Sequence, residues 1–326
     1  MAERIARIET IGGPEVIRWV EEELPPPAPG EVRLRTTAVG LNFIDTYFRR
    51  GIYPAPLPTG LGVEAAGVVE ALGEGVTGLS VGDRVCNFGP GLGAYATARN
   101  IAAQALFRIP EGISDETAAA AALKGCTTEF LVERCARVKP GMAVLVHAAA
   151  GGVGQLLVQW LKHAGAEVIA TVGSDDKIAI AKAAGADHVI NMSTEPTAKR
   201  VRELTGGAGV RVTFDGIGMD TWETSLDCTG VRGLVISYGN SSAPVTGVAL
   251  GTLGGPKGSL FVTRPTLYNY YTTPEERAAG SARLFNLIAQ GVLKVNIGQR
   301  YALSDVAQAH ADLEARRTTG STVLLP

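Results

Sequence analysis

Residues 147–154, His-Ala-Ala-Ala-Gly-Gly-Val-Gly, are the stretch of this chain most plainly suited to chemistry. Gly151 and Gly152 allow a tight turn and let bare backbone approach a pyrophosphate; Val153 begins a helix, and Gly154 lets that helix sit close to the preceding strand. Backbone N–H groups at the start of such a helix face an anion. Residues 142–146 before the turn are a short apolar strand, and residues 153–164 after it carry apolar side chains at helical spacing. Strand, glycine turn and helix in that order open a dinucleotide-binding βαβ unit. The bland alternative is an ordinary strand-to-helix turn, and the context on both sides favours the nucleotide.

The end of the next strand bears on which dinucleotide is bound. An NAD site places Asp or Glu about twenty residues beyond the glycines, where it accepts from the ribose hydroxyls. Here that position is Gly173, followed by Ser174-Asp-Asp-Lys177. Glycine and serine leave room for a 2′-phosphate and Lys177 offers it a charge, which predicts NADPH. The opposing reading puts Asp175 or Asp176 on the ribose, but both stand where a new helix begins and where acids are favoured for that reason alone.

The elements that must hold these residues fall into two groups. Residues 4–9, 16–24, 31–39, 63–72 and 84–87 read as strands separated by Gly and Pro turns, so the first 110 or so residues form a β-rich domain. Ser114 caps a helix over 117–123, and a second helix follows over 127–139. Strands at 143–147, 167–172, 188–191, 212–214, 233–237 and 259–262 then alternate with helices at 154–164, 175–184, 197–205 and 220–228. That alternation demands a doubly wound parallel sheet. A helix at 274–290, a strand at 297–301 and a last helix at 305–316 supply no further strand to that sheet and return to the first domain.

Composition limits the class of partner. With 326 residues, about two domains are expected. Lys plus Arg number 30 against 32 Asp plus Glu, a net charge of −2 that asks for neither nucleic acid nor an acidic membrane. Cys86, Cys126, Cys135 and Cys228 show no paired spacing, which disfavours a disulfide framework or structural zinc. No signal peptide or membrane span is apparent, so a cytoplasmic protein is expected.

The chain resembles the zinc-free quinone oxidoreductases of the medium-chain dehydrogenase/reductase superfamily. The resemblance rests on Gly40-Leu-Asn-Phe-Ile-Asp-Thr-Tyr47, Gly60-Leu-Gly-Val-Glu-Ala-Ala-Gly67, Gly82-Asp-Arg-Val85, Leu123-Lys-Gly125, the glycine turn, Ser237-Tyr-Gly-Asn-Ser-Ser242 and Val262-Thr-Arg-Pro265. It implies an α/β protein: a GroES-like β-barrel domain from residues 1–124 and 266–326, around a Rossmann domain at 125–265. It further implies bound NADPH and a homodimer, with strand 259–262 pairing with its own copy.

Zinc relatives carry a cysteine ligand in the loop that here reads Gly40-Leu-Asn-Phe-Ile-Asp45, and a histidine at the place of Val63. Glu64 alone cannot supply the three protein ligands a catalytic zinc wants. His147, His163, His188 and His310 do not pair at ligand spacing and are expected to be structural. An alkoxide's conjugate acid is nearly as weak as water, at about 15.7, whereas a reduced quinone is a phenol of pKa about 10; the difference is worth about 8 kcal/mol of anion stabilisation that no metal need supply. Enones pass the same test, because an enolate spreads its charge.

By resemblance, Asn42, Asp45 and Tyr47 come from the barrel loop beside the nicotinamide, and Tyr53 lines the acceptor pocket. Asn42, Tyr53 and Arg264 are expected to polarise the acceptor oxygen, with Asp45 and Tyr47 completing the substrate contacts and water giving the last proton. Ser174 and Lys177 would hold the 2′-phosphate, near Met192 where many relatives have tyrosine. Asn42, Lys124, Thr127 and Phe130 would face the cofactor, Phe130 standing where some relatives have tyrosine. Gly216 and Gly218 leave space beneath the nucleotide, while Tyr238, Asn240 and Ser241 fall at the nicotinamide half. The leading expectation is an NADPH-dependent reductase of small quinones; an enone or alkenal reductase is the alternative, and an NADPH-binding or RNA-binding protein is a different class.

Overall fold

The computed structural model describes residues 2–89 and 91–326; Met1, the start of the expected 1–124 segment, lies outside them, as does Pro90. Two compact units are present. The first comprises Met1–Cys126, Thr273–Ala289 and Val295–Pro326, and the second Thr127–Thr272 and Gln290–Lys294. Residues 266–272, expected with the barrel, group with the second unit: Tyr270 stacks on Phe130 with ring centroids 4.5 Å apart, and the Tyr271 hydroxyl donates to Glu129 at 2.7 Å.

The first unit begins with β1 (Glu3–Ile8), β2 (Arg18–Glu22) and the long β3 (Glu31–Leu41). Burial along β3 alternates from Val32 to Ala38, as a strand with one face on a core must. Helix α1 (Phe43–Arg49) follows directly, then β4 (Thr59–Gly60), β5 (Glu64–Leu72), β6 (Arg84–Phe88), β7 (Ala98–Ala102), β8 (Phe107–Arg108) and α2 (Asp115–Glu129). The two helices expected over 117–123 and 127–139 are one: α2 runs without a break into a π-helical turn at Phe130–Cys135. Gly125 is no breaker there. A Cβ on it would lie 2.3 Å from the Leu284 side chain, so the glycine serves close packing.

The second unit holds β9 (Ala143–Val146), α3 (Gly152–His163), β10 (Glu167–Val172), α4 (Ile178–Ala183), β11 (His188–Asn191), α5 (Thr197–Leu204), β12 (Val210–Asp215), α6 (Trp222–Cys228), β13 (Thr229–Ser237) and β14 (Phe261–Thr263). All six strands run parallel in the order β11-β10-β9-β12-β13-β14. The order reverses beside β9, the switch point where open α/β sheets bind ligands beyond the strand ends. Between β13 and β14 the chain makes 3-10 turns at Leu250–Leu253 and Gly255–Lys257. Leu145, Ile169, Ile190, Val201, Val210 and Cys228 form one core beneath the sheet.

The chain returns to the first unit with α7 (Pro274–Ala289), β15 (Ile297–Ala302), α8 (Val306–Glu314) and β16 (Ser321–Leu325). Strand β16 was not anticipated, because Thr318-Thr-Gly-Ser-Thr322 reads as a polar turn. It lies within the barrel sheet, parallel to β15 and antiparallel to β3. Its polar residues are satisfied locally: Ser321 donates to Ala120 O at 2.9 Å and Thr322 to the Gln299 amide oxygen at 3.0 Å. A core of Ile8, Leu41, Leu61, Tyr95, Leu303, Val306 and Leu324 joins these distant segments.

Candidate active site

Strand β9 delivers the chain to the glycine turn of the second unit. Ala148 sits at φ +53°, in the left-handed region that a side chain occupies at a cost. Gly151 is the N-cap of α3, and among the described residues no side chain caps that helix, so its first N–H groups are left for another acceptor. A Cβ on Gly154 would lie 2.3 Å from Ala148 O and 2.7 Å from Ala149 Cα, so only glycine lets the helix close on the turn. These are the features of a pyrophosphate cradle. His147 is buried, with Nδ1 2.9 Å from Thr171 Oγ1 and Nε2 unpartnered among the described residues. Burial holds its pKa below the usual imidazole value, against the pull of Asp215.

At the end of β10 a Cβ on Gly173 would meet nothing within 4 Å. Ser174 and Lys177 are half-buried beside this opening. Asp175 accepts from the Asn191 amide at 2.7 Å, which ties it to the end of β11 and weakens the reading that puts it on a ribose. Met192 follows on that strand, its N–H donating to Val172 O at 3.0 Å. The residues present therefore fit a phosphorylated ribose better than a bare one.

The ends of β12 and β13 are shaped by a residue the sequence reading passed over. Asp215, 1% exposed, accepts from the N–H of Ile217 (2.8 Å) and of Gly218 (3.1 Å), and from the hydroxyls of Thr221 and Ser225 (2.8 and 2.6 Å). An Asp at a strand end followed by Gly-x-Gly, with hydroxyl residues six and ten positions on, was the available signal. Gly216 admits the Tyr238 ring, which a Cβ there would approach to 2.8 Å. The Ser241 N–H donates to Gly216 O at 3.3 Å. With its amide oriented to satisfy both ends, Asn240 accepts from the Arg264 guanidinium at 3.2 Å and donates to Gly239 O at 2.9 Å. Gly216, Tyr238, Asn240, Ser241 and Arg264 are thus brought together, and Arg264 is exposed.

The barrel loop of the first unit is organised by Glu64, wholly buried at the start of β5. Its carboxylate accepts from Asn42 Nδ2 at 2.8 Å, from the Leu123 N–H at 2.6 Å and from Lys124 Nζ at 3.4 Å. A Cβ on Gly40 would lie 2.3 Å from this carboxylate and 2.1 Å from Ala119 O, so Gly40 makes the approach possible. Asn42 also donates to Gly40 O at 3.2 Å. Both amide hydrogens are then engaged, and the Asn42 side chain also faces the Asp45 N–H in the capping box that opens α1. With both hydrogens on Gly40 and Glu64, Asn42 has no amide donor for the acceptor oxygen it is expected to polarise.

Asp45 is corrected as well. It is the third residue of α1, and its carboxylate turns back to accept from the Asn42 N–H at 2.9 Å and the Tyr95 hydroxyl at 2.8 Å. At 0% exposure it supports the loop rather than touching a substrate. Burial raises its pKa to about 7. Tyr47 is also buried; it meets Tyr53 edge-on with centroids 5.3 Å apart, and Tyr53 is the half-buried member of the pair. Phe130, expected at the cofactor, is 1% exposed with its ring on Tyr270; Thr127 is half-buried.

Comparison with known proteins gives the family. The alcohol dehydrogenase GroES-like domain model matches residues 28–111 and the zinc-binding dehydrogenase model residues 152–273. A quinone oxidoreductase of Pseudomonas aeruginosa is 51% identical, with 100% of both chains covered. The chain belongs to the quinone oxidoreductase family of the medium-chain dehydrogenase/reductase superfamily. Within that family, the crystal structure of Escherichia coli quinone oxidoreductase complexed with NADPH matches over 100% of both chains at a TM-score of 0.97 and 49% identity. The 2-haloacrylate reductase of Burkholderia sp. is 44% identical over 98% of each chain. Family membership bears out the expected GroES-like and Rossmann fold. The model named for zinc binding matches residues within the nucleotide unit. Among the described residues no group of three or more His, Cys, Asp or Glu could hold a metal, and no helix is long and apolar enough to cross a membrane.

Proposed function

We propose that this protein reduces small quinones with NADPH, independently of zinc, as a cytoplasmic homodimer. The observation that carries the reading is the 51% identity, over the full length of both chains, to a quinone oxidoreductase. NADPH, when bound, supplies a hydride. The turn of Gly151, Gly152, Val153 and Gly154 would hold its pyrophosphate, and Gly173, Ser174 and Lys177 its 2′-phosphate, with Met192 alongside. Tyr238, Asn240, Ser241, Lys124 and Thr127 are assigned to the nicotinamide half, together with Asn42. Tyr53 and Arg264 are assigned to the acceptor oxygen, with Tyr47 setting the Tyr53 ring. The hydride and one proton from water convert the quinone to a hydroquinone, whose phenolic anion hydrogen-bond donors can stabilise.

The dimer reading rests on β14. It is the edge of the parallel sheet, with Phe261 61% and Val262 37% exposed, and an apolar sheet edge is a template for a second copy. Sedimentation as a monomer at working concentration would remove it. Similarity to 2-haloacrylate reductase keeps an activated alkene as the second reading for the acceptor. Steady-state turnover with NADPH and NADH across a panel of quinones and enones tests both: reduction of enones with no quinone accepted would replace the first reading by the second. Gly173→Asp, which has space for its side chain, should lower kcat/KM for NADPH tenfold or more while NADH gains. Unchanged preference would withdraw the phosphate assignment.

A further inference from the structure

A chain of buried polar side chains runs through the first unit beneath α1. The Tyr95 hydroxyl lies 2.8 Å from Asp45 Oδ2 and 3.0 Å from His310 Nε2. His310 Nδ1 lies 2.9 Å from a guanidinium nitrogen of Arg49, and Arg49 donates twice to Glu314, at 2.7 and 2.8 Å. Asp45, Tyr95 and His310 are all at 0% exposure and Arg49 at 1%, whereas the Glu314 side chain is 25% exposed.

The direction of every hydrogen in this chain is fixed by one residue. Arginine only donates, so His310 Nδ1 must accept. Neutral His310 then carries its hydrogen on Nε2 and donates to the Tyr95 oxygen, and Tyr95 donates to Asp45. The chain therefore points one way, from Arg49 to Asp45. Histidine cannot take a second proton without facing Arg49 with an N–H. Burial and the Arg49 charge accordingly hold His310 down to a pKa of about 3. Asp45 receives this donor and the Asn42 N–H on the same oxygen, Oδ2, while Oδ1 has no partner among the described residues. The charged groups facing Asp45 are Lys124 and Glu64; those facing the far end are Glu314 and, 3.8 Å from it, Arg50.

We propose that Arg49, His310 and Tyr95 form a one-way donor relay that keeps Asp45 in its acceptor form and so fixes the Asn42 loop, which makes Tyr95 and His310 positioning residues for the reaction. The inference rests on the proposed reductase activity for its kinetic consequence, but not for the state of Asp45 itself. Burial drives Asp45 toward the protonated form and the Tyr95 hydroxyl opposes it. A proton arriving on Asp45 goes to Oδ1 and weakens Oδ2 as an acceptor for the Asn42 N–H. Activity should then fall as pH drops through about 7, with one proton taken up.

The test reads the Asp45 carboxyl directly, by carbon-13 NMR of aspartate-labelled, substrate-free protein, together with the pH profile of kcat/KM. Loss of a hydrogen bond to a charged group is worth about 1.5 kcal/mol, so Tyr95→Phe should move both midpoints up by about one pH unit. His310→Leu, which leaves Tyr95 without its donor, should move them in the same direction, and His310→Gln, which keeps an N–H near Nε2, should restore most of the wild-type value. Wild-type protein alone is informative should a variant fail to fold: nitrogen-15 NMR of histidine-labelled protein that places the hydrogen of neutral His310 on Nδ1 overturns the relay, because Arg49 would then face an N–H. So do variants that lose thermal stability with Asp45 midpoints unmoved, the mark of simple packing. If Asp45 shifts as expected while no quinone or enone is reduced, the relay stands and the reductase reading falls.

Discussion

The two units make polar sites from different materials. In the second, the nucleotide turn is made of backbone: Gly151 to Gly154 lie within four residues, and what they offer is N–H groups and empty space. In the first, the loop at Asn42 is made of buried side chains drawn from afar. Asn42 meets Glu64 across 22 positions, Asp45 meets Tyr95 across 50, and Tyr95 meets His310 across 215. A backbone site tolerates almost any change except an added atom. A buried polar network fails when an atom is removed, because the partner is left desolvated and unsatisfied.

Removal should therefore have its largest effect at Glu64. Glu64→Ala strips Lys124, Asn42 and the Leu123 N–H of one shared, wholly buried acceptor. Breaking a buried ion pair from one side costs about 3–5 kcal/mol, and urea denaturation should register a loss of that size. Turnover should also fall in protein that remains folded, because the Asn42 side chain loses the carboxylate that holds it. A loss below about 1 kcal/mol would mean that the cluster is solvated, and the contrast between the units would disappear.

The same contrast explains what could be read from the sequence. The parallel strands, the glycine turn and the open position at Gly173 were legible because each is a local pattern whose physical meaning is set by a few neighbours. The sheet order bore this out, with the turn at the switch point beside β9. Strand β16 escaped because its buried residues include Ser321 and Thr322, whose polarity signals a turn until their acceptors on Ala120 and Gln299 are known. His310 shows no ligand spacing in the sequence; it lies within α8, and only the fold shows that Arg49 fixes its tautomer. Asn42 and Asp45 were legible as residues of one loop, but their partners were not. Their types were visible, whereas the direction of each hydrogen bond depended on Gly40, Glu64 and Tyr95.

Addition should have its largest effect in the turn. Gly154→Ala places a methyl 2.3 Å from Ala148 O and 2.7 Å from Ala149 Cα, both backbone atoms that cannot move without moving the turn. Overpacking of this kind costs about 1–3 kcal/mol, less than the Glu64 deletion. The helix must back away from the turn, so NADPH affinity measured by fluorescence titration should weaken by tenfold or more. Loss of stability with unchanged affinity would show that the N–H groups of α3 do not hold the cofactor.

The smallest effect should come from Ala148→Gly, and its sign is the sharper test. Ala148 carries a side chain at φ +53° on the exposed outer side of the turn. Left-handed backbone costs a residue with a Cβ about 1–2 kcal/mol, and glycine removes that strain. Against it stands the greater freedom glycine gives the unfolded chain, about 0.4–1 kcal/mol. The two nearly cancel, leaving a gain of about 0.5 kcal/mol that thermal denaturation can detect. Cofactor affinity responds to a different quantity, the spread of turn conformations before binding. Glycine relieves the strain and also admits conformations in which the Ala149–Gly151 backbone no longer lines up toward α3, so a more stable variant should bind NADPH less tightly. Tighter binding in Ala148→Gly would mean that the strained alanine is tolerated rather than used, and that the backbone site is set by its glycines alone.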